Sequence, residues 1–256
     1  MNNLSATLIQ CELAWESPED NRNQIGTVIK ALTEPTDLIV LPEMFTTGFS
    51  MNAAANAEEP GGATEQWLQE IAAAKDCAVA GSIAVRDQAG VFNRMLFATP
   101  EGLQHYDKRH LFRMAGENKR YCSGSQRVIV RWRGWRINLQ VCYDLRFPVF
   151  SRNCNDYDLL LYVANWPAKR SMHWRQLLIA RAIENQACVI GVNRIGSDAN
   201  GLSYQGDSLA VTGEGLLLED MQDVRGTAQV SFNSTDLTNY RQRFPCHFDA
   251  DSFHLD

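Results

Sequence analysis

The chain has 256 residues, 45% of them hydrophobic and 21% charged, with a formal net charge of −6. That is enough apolar material for one large core, and it excludes disordered, collagen-like and small disulfide-scaffold classes. The acidic balance argues against broad binding to a phosphate backbone. No apolar run approaches the roughly 18 residues of a spanning helix, and Met1-Asn2-Asn3-Leu4-Ser5 lacks the basic-then-apolar pattern of a secretory signal.

In chain order, Ser5–Gln10 reads as a strand, and Pro18–Leu32 as a helix with Ser17 at the N-cap and Pro18 at its first position. Asp37–Leu41 is a compact apolar run that stops at Pro42, the pattern of a buried strand. Thr64–Lys75 has helical spacing at Trp67, Leu68 and Ile71, and Cys77–Val85 returns to strand. Then come Phe92–Ala98, Leu103–Asp107, Val128–Trp132 and Arg136–Val141, strand-like runs parted by the turn signals Pro100-Glu101-Gly102 and Arg133-Gly134. Asp158–Val163 is another apolar strand, His173–Asn185 a helix and Cys188–Asn193 a strand. Ser203–Phe232 reads as short strands broken by Gly206, Gly213, Gly215 and Gly226.

These runs exceed what one doubly wound sheet usually holds, and two stacked sheets with helices outside fit the count. No internal repeat, low-complexity tract or composition shift marks a linker, so the sequence reads as one domain over 1–256. Seven cysteines, an odd count, argue for a reducing cytoplasm and mostly for packing thiols. No CxxC pair occurs and the five histidines fall in no HExxH cluster, so no metal is expected.

Three places break the strand rhythm with reactive residues. In Leu41-Pro42-Glu43, a carboxylate directly after a buried strand lies at a sheet edge, where desolvation suits a general base; the alternative is a capping or surface glutamate. In Asp107-Lys108-Arg109-His110-Leu111-Phe112, Lys108 closes a strand amid aromatics and offers either a fixed charge or a snorkelling side chain. Downstream, Glu117 taken singly reads as a loop charge. In Val141-Cys142-Tyr143-Asp144-Leu145-Arg146-Phe147-Pro148, a strand runs into Cys142 and a turn that Asp144 could cap. A thiol at such a turn lies near backbone N–H groups that lower its pKa and bind an oxyanion, although a buried Cys can also be a small hydrophobe. The histidines offer no distinctive partner for it, and a carboxylate offset by a cation can replace the usual imidazole base.

With these three motifs in order, the sequence resembles the nitrilase superfamily of carbon–nitrogen hydrolases over nearly its whole length. The resemblance implies an α/β fold, a four-layer αββα sandwich, usually paired as a homodimer, and a cofactor-free Glu–Lys–Cys triad. Glu43 would then be general base and acid, Cys142 the nucleophile, and Lys108 with the Tyr143 backbone N–H the oxyanion site. Glu117 matches by position the family's second glutamate, though its flanking residues depart from the common pattern. The segment Ala164-Asn165-Trp166-Pro167-Ala168-Lys169-Arg170-Ser171-Met172-His173-Trp174 resembles the omega-amidase group. Members of that group hydrolyse the terminal amide of 2-oxoglutaramate and 2-oxosuccinamate. The far carboxylate of such substrates calls for a cation, with Arg170 and Arg146 as candidates and Trp166 as an apolar wall. Arg146 could instead pair internally with Asp144 or Glu184.

Other superfamily amidases, acting on N-carbamoyl or aliphatic amides, remain the rival reading. A catalytically silent binding protein is a third, disfavoured because Glu43, Lys108 and Cys142 are all present. The arginine–aromatic stretch Arg127–Arg136 fits an amphipathic hairpin better than a nucleic-acid surface. The expected partner is a small amide, with neither nucleic acid nor membrane.

Overall fold

In the computed structural model, which describes residues 3–254, the first half runs β1 (Leu4–Gln10), α1 (Pro18–Lys30), β2 (Leu38–Val40), α2 (Ala53–Asn56) and α3 (Ala63–Lys75). The meander β3 (Ala78–Asp87), β4 (Gly90–Thr99) and β5 (Gly102–Asp107) completes it. The second half runs β6 (Ile129–Trp132), β7 (Trp135–Val141), α4 (Pro148–Ser151), β8 (Leu159–Ala164), α5 (Ser171–Asn185) and β9 (Cys188–Asn193). The short strands β10 (Ile195–Ser197), β11 (Ser203–Gln205), β12 (Leu209–Val211) and β13 (Leu217–Asp220) follow, then β14 (Gly226–Phe232) and α6 (Ser234–Arg243).

Among the described residues, two six-stranded sheets form, ordered β14-β1-β2-β3-β4-β5 and β13-β12-β9-β8-β7-β6, with β10–β11 as a separate hairpin. Each sheet has three parallel strands at its centre, β1-β2-β3 or β7-β8-β9, and antiparallel strands at its edges. This likeness of plan is absent from the sequence, because the paired strands share apolar character rather than residues.

Period-two alternation builds the layers. Leu4, Ala6, Leu8, Leu38, Val40, Ala78 and Ala80 join the core shared with the second sheet. Their neighbours Ile9, Ile39, Leu41 and Val79 face outward to Ile25 and Ile29 of α1 and Leu68 and Ala72 of α3. On the far side α5 buries Trp174, Leu178 and Ala182, one residue every turn. A Cβ at Gly191 would lie 2.4 Å from Leu178, so glycine there lets α5 approach β9. The result is the expected αββα sandwich.

Some local expectations are corrected. The hydroxyl of Ser17 bonds to Asp20 Oδ2 at 2.6 Å and makes no cap bond to the backbone. The helix it precedes stops at Lys30, short of Leu32. β14 leaves the second half of the chain and pairs with β1. After it α6, unforeseen in the sequence, is capped by Asn233, whose side chain accepts from Thr235 N and Asp236 N. Of the cysteines, Cys11, Cys77 and Cys188 pack in the interior, whereas Cys122 and Cys154 are exposed. Among the described residues no helix is long and apolar enough to cross a membrane.

Candidate active site

The end of β2 delivers Glu43 to the interior. Leu41 N bonds to Ala80 O (2.7 Å), and Met44 N and Phe45 N bond to Ser82 Oγ (2.9 Å) and Ser82 O (3.0 Å), so the segment stays zipped to β3. The turn is completed by Met44 in the left-handed region (φ 46°). Glu43 is fully buried and is not a surface cap. Its Oε2 accepts from Asn165 N at 2.7 Å, and its Oε1 from Asn93 Nδ2 at 2.8 Å.

Lys108, the residue after β5, is held by its own N–H to Asn93 O (3.0 Å) and is also fully buried, so the snorkelling reading fails. Its Nζ lies 2.9 Å from Glu43 Oε1 and 3.0 Å from both oxygens of Glu117. Glu117 is no loop charge. It is buried, accepts from Phe112 N at 2.5 Å and from Asn93 Nδ2 at 3.2 Å, and the Phe49 ring lies 5.2 Å from the ammonium. Burial alone would drive the proton from Lys108, but the carboxylates of Glu117 and Glu43 outweigh it and hold the ammonium charged well above the usual lysine range. Burial likewise raises Glu117, against the pull of Lys108 and with the help of the Glu43 charge.

Cys142 opens the tight turn Cys142–Arg146 that follows β7, and it adopts φ 46°. A non-glycine residue held there costs on the order of 1–3 kcal/mol and persists only where its surroundings fix it. The bond from Val141 N to Asp144 Oδ2 (2.9 Å) spans the strained residue. Asp144 therefore caps this turn from within, as its third residue, by accepting the N–H of Val141 ahead of it. Burial, then the negative charge of Glu43, push the Cys142 thiol well above its ordinary range, with Lys108 opposing. The sequence suggested a lowered thiol; desolvation reverses the sign.

Cys142 is 9% exposed and opens onto a cavity of about 450 Å³ shared with Lys108, Tyr143, Arg146, Trp166 and Arg170. Phe49, Phe112, Leu202 and Tyr204 supply apolar wall, and Lys169 a further cation; no Asp or Glu among the described residues lines it. Arg146 pairs with neither of the carboxylates considered from sequence. Asp144 is taken by Tyr106 and His110, and Glu184 by Arg181. Arg146 instead meets His173 Nδ1 at 2.8 Å and lies over the Trp166 ring at 4.9 Å. Arg170 lies over Phe112 at 5.4 Å, and its carbonyl accepts from Trp166 Nε1 at 2.8 Å. Burial and then the charge of Arg170 lower Arg146 from the usual guanidinium range. Two cations thus press on each other at the mouth, and among the described residues neither forms an ion pair with a carboxylate.

All the residues singled out in the sequence therefore meet at one place. Two others there were missed. Asn93 bridges Glu43 and Glu117, and its signal was a lone amide, beside Arg94, in a largely apolar strand. Asn165, inside a segment already noted, holds Glu43 by its own N–H and by Nδ2 to Glu43 O at 2.5 Å. The arginine–aromatic stretch is tied down by aspartates: Arg127 to Asp156, Arg133 to Asp76 and Arg136 to Asp158.

Residues 5–242 match the carbon–nitrogen hydrolase family model. The chain is 49% identical to omega-amidase YafV of Escherichia coli, covering 100% of both chains. It is 32% identical to a 2-oxoglutaramate amidase of Bacillus subtilis, covering 93% of both. Among solved structures, a CN-hydrolase superfamily protein of Xanthomonas campestris with an arsenic adduct in its active site superposes with a TM-score of 0.98 at 44% identity, over 100% of both chains.

Proposed function

The chain belongs to the carbon–nitrogen hydrolase family, and from that premise we propose that it is an omega-amidase. It hydrolyses the terminal amide of short 2-oxo acids such as 2-oxoglutaramate and 2-oxosuccinamate to the dicarboxylate and ammonia. The observation that carries this reading is the single cavity that holds Cys142 beside Arg146 and Arg170 and presents no carboxylate among the described residues. An incoming carboxylate is what such a pair of guanidiniums is built to receive.

The chemistry follows from the geometry. Glu43 takes the thiol proton as Cys142 sulfur bonds to the amide carbon, so no free thiolate need accumulate. The carbonyl electron pair moves to oxygen, between Lys108 and the Tyr143 backbone N–H. With Glu117 sharing one N–H of the ammonium between its two oxygens, a third N–H is left for that oxyanion. As the carbon–nitrogen bond breaks, Glu43 returns the proton and ammonia departs, leaving a thioester. Water deprotonated by Glu43 then attacks the thioester, releasing the acid and restoring the thiol.

A panel of amides tests the substrate class. 2-Oxoglutaramate is expected to give a higher kcat/KM than neutral aliphatic amides or N-carbamoyl amino acids. Equal turnover across the panel would contradict the preference and favour a general amidase. We further read the whole chain as one hydrolase domain, a cytoplasmic homodimer. The family match over 5–242 and seven free cysteines support the first two points. The exposed apolar side chains Val149, Met172, Ile183 and Leu216 support the third. A monomer by light scattering would overturn the pairing.

A further inference from the structure

One fully buried carboxylate beside the site takes no part in the reaction. Asp144 Oδ2 accepts from Val141 N (2.9 Å) and Tyr106 OH (2.8 Å), and Oδ1 accepts from His110 N (2.9 Å) and lies 2.7 Å from His110 Nδ1. An ionised carboxylate only accepts, which assigns the proton of that last contact to Nδ1. The Tyr106 hydroxyl in turn accepts from Arg109 N at 3.0 Å. The placement of these donors matters. Tyr106 and His110 stand two residues either side of Lys108, while Val141 immediately precedes Cys142. One side chain thus ties the end of β5, on the first sheet, to the end of β7, on the second.

The tie continues through rings. His110 stacks on Phe147 (3.9 Å between centroids, 12° between planes), and Phe147 meets Tyr143 edge-on at 5.1 Å. Tyr143 meets Phe112 at 5.0 Å, and Phe112 N holds Glu117. The turn carrying the Tyr143 N–H is therefore braced on both flanks by the segment that carries Lys108.

We propose that Asp144, acting through Tyr106 and His110, is a positioning residue that sets the separation of the two oxyanion donors, Lys108 Nζ and the Tyr143 backbone N–H. The inference rests on the roles given to those donors above. A carboxylate is required because four donors converge on it inside the protein. An amide has one accepting oxygen, so Asp144→Asn would turn an N–H group toward other donors. The Val141–Asp144 bond that spans Cys142 needs a single acceptor oxygen, which Asp144→Asn still offers, so the nucleophile keeps its turn.

The test compares wild type, Asp144→Asn and Tyr106→Phe by three readouts. The first is alkylation of Cys142 by iodoacetamide, a displacement that develops no oxyanion. The second is protection of Cys142 by butyraldehyde. Its addition forms a sulfur–carbon bond, moves the carbonyl pair to oxygen and passes the thiol proton to Glu43, so it reports on the oxyanion site without any amide. The third is kcat and KM on 2-oxoglutaramate. In both variants aldehyde protection is expected to weaken on the order of tenfold or more. In Asp144→Asn kcat falls on the order of a hundredfold, as for a misplacement of about 1 Å, with KM and alkylation close to wild type. Tyr106→Phe keeps its ring in place and decides the matter if Asp144→Asn does not fold. Equal loss of alkylation and aldehyde protection would overturn the proposal by marking the network as general fold support, and so would unchanged protection in both variants. Failure of the omega-amide reading appears separately, as a wild type that binds the aldehyde but releases no ammonia from 2-oxoglutaramate; the aldehyde comparison still judges Asp144.

Discussion

On the first-sheet side of the cavity the charges are matched before any substrate arrives, whereas on the second-sheet side they are not. Lys108 lies within 3.0 Å of Glu43 and Glu117, and Asn93 and backbone N–H groups take up further carboxylate oxygens. Opposite them, Arg146 and Arg170 rest on aromatic rings, and burial and then the charge of Arg170 lower Arg146 from the usual guanidinium range. The closed side can fix its groups in advance, because desolvated charges of both signs hold one another rigidly. The open side leaves an electrostatic demand that, in the proposed reading, the substrate's own carboxylate meets. In the proposed reading the acid–base groups are preorganised on one wall, while the nucleophile and the selective cations share the other.

Glu43→Gln should break the closed side most severely, lowering ammonia release by up to about ten-thousandfold. It should also move iodoacetamide alkylation of Cys142 to lower pH. The sign follows from the cause: after burial, the Glu43 charge is what favours the neutral thiol, so removing it leaves Lys108 less opposed in favouring thiolate. A variant with slower turnover and an unmoved alkylation profile would contradict the thiol–carboxylate link. Lys108→Met comes next, with turnover down on the order of a thousandfold. Two buried carboxylates would lose their cation, so thermal unfolding should register a loss of about 3–5 kcal/mol. Unchanged stability would mean that the closed side is not closed. Smallest is Arg170→Met on the open side. KM for 2-oxoglutaramate should rise roughly ten- to a hundredfold with kcat kept, and KM for a neutral amide should stay put. A fall in kcat for both substrates would place Arg170 with the chemistry and erase the division.

The sequence made Glu43, Lys108 and Cys142 more legible than their supports and the cationic wall, for a physical reason. Glu43 and Cys142 each follow an apolar strand and Lys108 closes a strand amid aromatics, and a reactive group in such a position is conspicuous. Asn93 bonds both carboxylates from within a strand, where one amide beside Arg94 carries little signal. Arg146 shows the limit from the other direction: its nearness to Asp144 in sequence suggested an ion pair, but Asp144 is occupied by Tyr106 and His110 from the other sheet. The thiol's shift had the wrong sign because local turn geometry was legible and burial was not. In the fold, the alternation that stacks β1, β2 and β3 between helices and core was readable. The pairing of β14 with β1 was not, since more than 200 residues separate Leu4 from Phe232 and register across that span leaves no local mark. The helix α6 escaped because Leu237 is the one apolar residue it buries among those described, although its Asn233 cap was there to be seen.

The most direct measurement is ammonia release from 2-oxoglutaramate by wild type beside Cys142→Ala. Rapid release by the wild type, reduced to background by loss of the sulfur, is the predicted result. Release that survives in Cys142→Ala would contradict the thioester route, and a wild type inert toward this amide would contradict the reading of the cationic wall.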